Sequence, residues 1–288
     1  MNQASVKAFI DFIIERHAVY LKKTAGSSRP WTTDPILQKY KFCNVYRELD
    51  RTTVWIAEHW RKPHEEDPDL WFAMLVARLI NWPPTLNELG YPVPWNPKYF
   101  AKIINARKAR GEKIYSNAYM LTTSGEAIDK TALNLRRFTA LWKDREEMRP
   151  IPTECLWLYW EHLCDQHGIG SFIAAQIIAD MKYARPFLQA PDWWTFAAPG
   201  PGSRRGMNRL LVGGTVEAKA LNKQLPFTVW TKHLCELRDV VNSALPKTMG
   251  PLHAQDLQNC LCEFDKYQRI QNPIKLSLLK LYKGGSEE

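Results

Sequence analysis

The sequence lacks the long apolar runs that would place the chain in a membrane or mark it for export. No apolar stretch approaches the roughly 18–20 residues that a helix needs to span a bilayer. Asp11 and Glu15 interrupt the apolar residues of the N-terminal segment, and no basic region precedes them, which is unlike a signal peptide. We therefore expect a cytoplasmic protein with no membrane partner.

Several catalytic and metal-binding signatures are also absent. The 6 cysteines include no CxxC pair, which argues against a zinc ribbon or a thioredoxin motif. No GxxxxGK[ST] loop, G-x-S-x-G elbow, HExxH helix or EF-hand loop occurs, and the 7 histidines show no metal spacing. These absences exclude a P-loop kinase within these residues and predict neither a metal nor a cofactor.

The composition is that of a basic globular protein. The 288 residues are 45% hydrophobic and 24% charged, and 39 lysines and arginines against 30 acids give a formal charge of +9. Such a surface attracts polyanions, so nucleic acid is the leading partner and a merely basic surface is the alternative. Of the 12 tryptophans, some must lie in the core and others could stack on bases.

Hydrophobic periodicity predicts a mainly α protein. Three- and four-residue spacing predicts a helix at each of a series of segments: 4–23, from about 44 to 62, 69–80, 98–109, 129–143, 153–164, 171–181, 227–243, 252–268 and 273–282. Only a short piece such as 115–122 alternates like a strand. We expect one helical domain over 1–288, with two lobes around a cleft and a soft division near 145. Segment 198–214, rich in glycine and proline, is predicted to be a functional loop.

The most informative segment is a helix–glycine–helix hairpin at 153–181. Its two helices meet at Gly168, Ile169, Gly170 and Ser171. The second helix would begin with the free amides of the last three of these residues. Partial positive charge gathers at such an end, so a phosphate can dock there without base contacts. The alternative is a plain helix turn closed by a glycine.

The hairpin resembles the helix–hairpin–helix of the DNA glycosylase superfamily. That resemblance rests on His167 to Ser171 and the IAAQIIADM that follows, and it implies a glycosylase-like fold. The superfamily's catalytic aspartate follows the hairpin by about twenty residues, where this chain has Asp192. Lyase members carry a lysine where this chain has Phe172, so Schiff-base chemistry at that position is excluded.

Three further motifs resemble a narrower family. KFCNVYRELDR at 41–51, GPGSRRG at 200–206 and CEFDKYQR at 262–269 are similar to the α-glutamyl/putrescinyl-thymine pyrophosphorylases. That family is also described as amino acid:DNA transferases, is typical of phages with hypermodified thymine, and is related to the helical domain of hydroxymethyluracil DNA kinases. The resemblance implies a DNA substrate with pyrophosphorylated 5-hydroxymethyluracil, whose pyrophosphate is displaced by an amine such as an amino acid or polyamine.

This chemistry requires cations for the leaving pyrophosphate, and guanidinium groups suit it best. Arg47 and Arg51 would share a helix face, and a salt-bridged face is the alternative. The candidate pyrophosphate ligands taken from the motifs are Asn44, Arg51, Arg204, Arg205, Lys266 and Arg269. Arg204 and Arg205 are placed in a glycine-rich loop that can approach a phosphate.

The incoming ammonium must lose a proton, and a desolvated carboxylate can accept it. Asp192 is the leading candidate, with an N-cap of the following helix as its alternative role. Arg47 and Glu263 join it as candidate catalytic residues, although Glu263, like Asp180, also suits a structural ion pair. Trp193, Trp194 and Tyr267 are candidates for stacking on an extruded base, with core packing as the alternative.

Three functions stay open on these residues. The first is a transferase that leaves a heavier, intact base. The second is a DNA glycosylase that uses Asp192 and leaves an abasic site. The third is a non-catalytic DNA-binding module that accompanies a kinase.

Overall fold

The chain folds into α-helices joined by turns and extended segments, with no strand among the residues described. A computed structural model describes residues 1–116, 129–151, 155–213 and 218–272. The helices run in the order α1 Gln3–Thr24, α2 Pro35–Lys39, α3 Arg51–Ile56, α4 Leu70–Ile80, α5 Pro83–Leu89, α6 Pro97–Ala109, α7 Lys130–Lys143, α8 Leu156–Cys164, α9 Ser171–Met181, α10 Pro201–Val212, α11 Ala218–Leu221, α12 Phe227–Ala244 and α13 Ala254–Gln271. The predicted mainly α class is confirmed.

Most of the predicted helices are found within a few residues of their expected bounds. The exception is the helix expected from about residue 44, where a short 3₁₀ turn at Arg47–Leu49 precedes α3 and a π-helical turn at Ala57–Arg61 follows it. The predicted helix at 273–282 lies outside the described residues. So does the predicted strand at 115–122 from residue 117 onward.

Two compact units make up the described chain, and their boundaries differ from the division expected near 145. Residues 1–47 and the described residues after 198 form the first unit, and residues 48–198 form the second as a continuous insertion. Position 145 falls inside the second unit because the α7 side chain of Phe138 packs on Phe72 of α4, with 6.1 Å between ring centroids. A core that uses α7 in this way cannot be divided just after it.

The core of the second unit is built around α4, whose 11 residues are all buried. Its one charged residue, Arg78, donates from Nε to the fully buried Asp180 of α9 at 2.6 Å. Arg78 also donates to Thr53 at 3.2 Å. Asp180 therefore has the structural role that was its expected alternative. Among the described residues, no helix is both long enough and apolar enough to cross a membrane.

The core of the first unit is centred on α10 and α13, and here a prediction was wrong. Most of segment 198–214 is helix and not loop, since α10 occupies Pro201–Val212. The composition misled because a proline and a glycine of this segment serve the helix, at Pro201 and Gly206. Pro201 takes the first helical position, where no amide hydrogen is needed. A Cβ on Gly206 would lie only 2.8 Å from the carbonyl carbon of Leu261 in α13, so glycine is what allows the two helices to pack this closely.

Candidate functional site

The first-unit part of the first motif lies along α13, the helix that contains the whole third motif. Segment 43–47 runs beside α13, and side chains spaced along one face of that helix hold it by its main chain. Glu263 accepts from the Cys43 amide at 3.3 Å, Asn259 donates to the Asn44 carbonyl at 3.4 Å, and Asp256 accepts from the Arg47 amide at 3.1 Å. Since α10 packs on the same helix, all three motifs converge on α13.

A charged cluster of the first unit surrounds Asp265, which is fully buried on α13. Three arginines place their Nε atoms on its carboxylate: Arg205 at 2.8 Å, Arg209 at 3.0 Å and Arg269 at 3.2 Å. Of the predicted pyrophosphate ligands, the fold thus brings Arg205 and Arg269 together. We call this group the Asp265 cluster.

The other predicted cations have different partners. Arg204 donates from Nη1 to the Leu225 carbonyl at 2.8 Å. Lys266 donates to the Lys41 carbonyl and lies 4.5 Å above the ring of Phe42, so it anchors the start of the first motif. Neither residue is part of the Asp265 cluster.

Arg47 and Arg51 do not share a helix face, contrary to expectation. Arg47 belongs to the 3₁₀ turn and is buried, whereas Arg51 opens α3 and is exposed. Asp50 stands between the two elements in an extended conformation, which breaks the helical spacing on which that prediction depended. The two residues also fall on opposite sides of the unit boundary.

Tyr267 lies in an acidic setting. Its hydroxyl donates to Asp34 at 2.6 Å, and burial together with that carboxylate raises the pKa of Tyr267 to about 12. It lines a cavity of about 270 Å³ with Asp34, Asp11 and Glu15. Carboxylates repel a DNA strand, so these surroundings suit a cation better than a stacked nucleotide.

The hairpin of the second unit presents its tip to solvent. Gly168 has φ +90°, which only glycine adopts without strain, and Ile169 is buried beneath the turn. Gly170 is the N-cap of α9 and, as a glycine, has no side chain with which to cap the helix. Gly170 and Ser171 are both exposed. The end of α9 that was predicted to bind phosphate is therefore accessible.

A cation that the sequence did not reveal lies against the hairpin. A Cβ on Gly168 would be 3.0 Å from Nε of Arg137 in α7. The Nη1 atom of Arg137 is buried without a hydrogen-bond partner in the described structure. Burial, and then the neighbouring Arg136, lower the pKa of Arg137. An anion near the hairpin would relieve both effects.

Asp192 binds the start of α8. Its two carboxylate oxygens accept from the amides of Leu156 at 2.8 Å and Trp157 at 2.9 Å. The helix that it caps therefore precedes it in the chain, whereas the expected alternative was a helix that follows. This contact fixes Asp192 beside the hairpin's first helix, and its role as a proton acceptor stays a prediction.

The two tryptophans after Asp192 differ in exposure. Trp193 is partly buried, and its Nε1 donates to the carbonyl of Lys182 at 2.8 Å, while Nζ of Lys182 lies 3.8 Å from the centroid of the Trp193 ring. Trp194 is 48% exposed, which leaves its ring the better placed of the two for stacking on a base.

Arg209 and Arg137 are the residues that sequence reasoning missed. Arg209 follows Arg205 by one helical turn, a spacing that becomes a signal only when Pro201–Val212 is read as a helix. No local pattern ties Arg137 to the hairpin, because their contact joins residues that are 31 positions apart.

Comparison with known proteins identifies the family of the chain. The family model described as "5-hmdU DNA kinase, helical domain" matches residues 3–276. A curated protein of Bacillus phage SP10 named 5-hmdU DNA kinase is 26% identical over 223 residues, which cover 69% of this chain and 35% of that relative. No solved structure matches. The relation to the kinase helical domain that the motifs implied is confirmed, and the chain belongs to the family of 5-hmdU DNA kinase helical domains.

Proposed function

We propose that the chain modifies DNA by replacing the pyrophosphate of 5-pyrophosphoryloxymethyluracil with an amine. The kinase named in the comparison supports 5-hydroxymethyluracil in DNA as the substrate class. The aligned region spans about a third of that relative, and these 288 residues contain no P-loop motif, so phosphoryl transfer is not proposed here.

The Asp265 cluster is the observation that carries this proposal. A departing pyrophosphate bears several negative charges, and guanidinium groups stabilise such charge as it develops. Arg205 and Arg269 reach one carboxylate from two helices, which holds them close together. The reaction also requires DNA binding, and the hairpin of the second unit suits it. An exposed helix N-terminus is offered to a DNA phosphate there by Gly168, Ile169, Gly170 and Ser171.

The proposed reaction conserves atoms and electrons without an oxidant or reductant. Electron release from the uracil ring breaks the bond between the methylene carbon and the pyrophosphate oxygen, and the electron pair leaves on that oxygen. The donor ammonium gives up one proton, and its nitrogen then bonds to the methylene carbon. The proton ends on the released pyrophosphate, after transfer through a protein carboxylate such as Asp192 or Glu263.

The remaining predicted residues keep secondary roles in this proposal. Asn44, Arg47, Arg204 and Lys266 of the first unit, and Arg51 of the second, stay candidate contacts to the substrate. Trp194 is the preferred base-stacking residue because it is exposed, ahead of Trp193 and Tyr267. The amine donor is an amino acid or a polyamine.

Nucleoside mass spectrometry tests the proposal. DNA that carries pyrophosphorylated hydroxymethyluracil is incubated with the chain and a pool of amines, then digested to nucleosides. We expect a heavier nucleoside with the mass of one incorporated amine. An abasic site would identify a glycosylase, and unchanged DNA would leave only a binding module. In a parallel reaction, undiminished turnover by the Asp192→Asn variant would remove Asp192 from the mechanism.

A single substitution at the hairpin should weaken phosphate binding without destabilising the fold. Ser171→Glu places a negative charge at the N-terminus of α9, where it stabilises the helix by about 0.3–1 kcal/mol. The same charge repels a DNA phosphate, so we expect DNA affinity to fall about tenfold at fixed, moderate salt. Fluorescence anisotropy with labelled duplex and single strands measures this change. The neutral control Ser171→Gln should stay within about threefold of the parent, and equal affinities for the two variants would contradict DNA binding at this turn.

A further inference from the structure

The Asp265 cluster holds more positive charge than its carboxylate neutralises. Three guanidinium groups meet one carboxylate, which leaves a surplus of two charges within a partly buried group. A single guanidinium would suffice to compensate a buried aspartate, and gathering further like charges costs energy in a medium of reduced dielectric. The surplus is what a site for a multiply charged anion requires.

The contacts to Asp265 leave the anion-binding parts of the arginines available. Each arginine uses Nε, the guanidinium nitrogen nearest its own chain, to reach Asp265. For all three residues, Nη1 and Nη2 have no hydrogen-bond partner within the described part of the chain. These two nitrogens form the fork that binds phosphoryl oxygens in pairs.

The cluster is also held rigidly. Arg205 and Arg209 lie one turn apart on α10, and Asp265 and Arg269 lie one turn apart on α13. The close approach at Gly206 fixes these two helices against each other. Side-chain exposure rises from 11% for Arg209 through 28% for Arg205 to 55% for Arg269, so the group opens from the protein interior toward solvent.

We infer that Arg209 completes a diphosphate-binding site with Arg205 and Arg269, and that Asp265 is the positioning residue that aims all three guanidinium groups. The identity of the anion as pyrophosphate rests on the proposed function. Three forks can engage both phosphoryl groups of a diphosphate, whereas orthophosphate offers only one group. The site should therefore bind pyrophosphate more tightly than orthophosphate.

Calorimetric titration of the full chain with inorganic pyrophosphate, and separately with orthophosphate, tests the site without DNA or amine. We expect at least about tenfold tighter binding of pyrophosphate, and a loss of about tenfold to a hundredfold for Arg209→Gln. Arg209→Lys should restore only part of the affinity, because an ammonium lacks the fork. The control is Arg238→Gln in α12, which removes the same charge from an arginine paired with exposed Asp239 at 2.8 Å.

The Asp265→Asn variant should change pyrophosphate affinity in opposite directions for the two possible roles of the carboxylate. If Asp265 only adds negative charge beside the anion, its neutralisation should tighten pyrophosphate binding. If it positions the arginines, the freed side chains should bind about tenfold more weakly, and this is our expectation. Circular dichroism checks that the variant is folded. If it is not, Asp265→Glu takes its place: this variant keeps the charge but displaces the carboxylate, so it should weaken binding only if Asp265 positions the arginines.

Each result bears on the inference separately from the proposed function. Equal binding of the two anions, or equal losses for Arg209→Gln and Arg238→Gln, would overturn the diphosphate site even if amine transfer is observed. Tighter or unchanged pyrophosphate binding by folded Asp265→Asn would overturn the positioning role. If the anion-binding results are as expected but no amine transfer is observed, the diphosphate site is supported and the proposed function is refuted.

Discussion

Replacing Asp180 with asparagine is expected to destabilise the second unit by about 3–5 kcal/mol. The side chain of Arg78 is only 2% exposed, and its Nε and Nη2 atoms both donate to the Asp180 carboxylate. Asparagine keeps the shape of the side chain but removes its charge, so the guanidinium would remain buried beside a neutral amide. The large effect comes from that uncompensated cation rather than from the loss of a favourable pair.

Urea unfolding followed by tryptophan fluorescence and hydrogen exchange measures this loss. A matched control in the same unit is Glu66→Gln, which breaks the exposed pair with Arg185 at 2.6 Å. Exposed pairs contribute about 0–1 kcal/mol, so the control should stay near the parent. A loss below about 1 kcal/mol for Asp180→Asn would mean that other groups compensate Arg78, and the account of this core would be wrong.

Gly206→Ala is expected to separate α10 from α13 and to weaken pyrophosphate binding with it. Alanine favours a helix over glycine by about 1 kcal/mol, so propensity alone predicts stabilisation. The added Cβ, however, would overlap the main chain of Leu261, and no side-chain movement can relieve a clash with a carbonyl. We expect the clash to win, with a net loss of about 2 kcal/mol in the free energy of unfolding.

The shift of α10 should also move Arg205 and Arg209 away from Asp265. Pyrophosphate affinity measured by calorimetry should therefore fall about tenfold or more, whereas DNA binding by the hairpin of the second unit should persist. Gly250→Ala is the control, because the nearest atom to its added Cβ is the Tyr46 hydroxyl at 4.0 Å. Unchanged stability and affinity in Gly206→Ala would contradict the proposed helix contact.

Helices with a strong apolar period could be predicted from the sequence, and elements held by distant contacts could not. The spacing of Ile173, Ile177 and Met181 predicts α9 at its observed bounds, because one helix face meets the core. Segment 43–47 has similar residues but forms no α-helix. Its main-chain groups bind α13, more than 200 positions away, and no local pattern reveals such partners.

The candidate site could likewise be predicted only in part. The turn at Gly168 and Gly170 depends on residues that are adjacent in the chain, so the sequence indicates it directly. The Asp265 cluster needs two helices packed together, so Arg205 and Arg269 were predicted by family resemblance and Arg209 was not. The error at 198–214 came from treating glycine and proline as loop residues, when Gly206 serves packing between helices.

The most direct test of the proposed reaction compares two products in one reaction. Pyrophosphate released and amine incorporated are quantified over time, with pyrophosphorylated hydroxymethyluracil DNA and a single amine. The account predicts one pyrophosphate for each amine that becomes attached to the base, and loss of both products together in the Arg209→Gln variant. Pyrophosphate release without amine incorporation, or release of the free base, would contradict it.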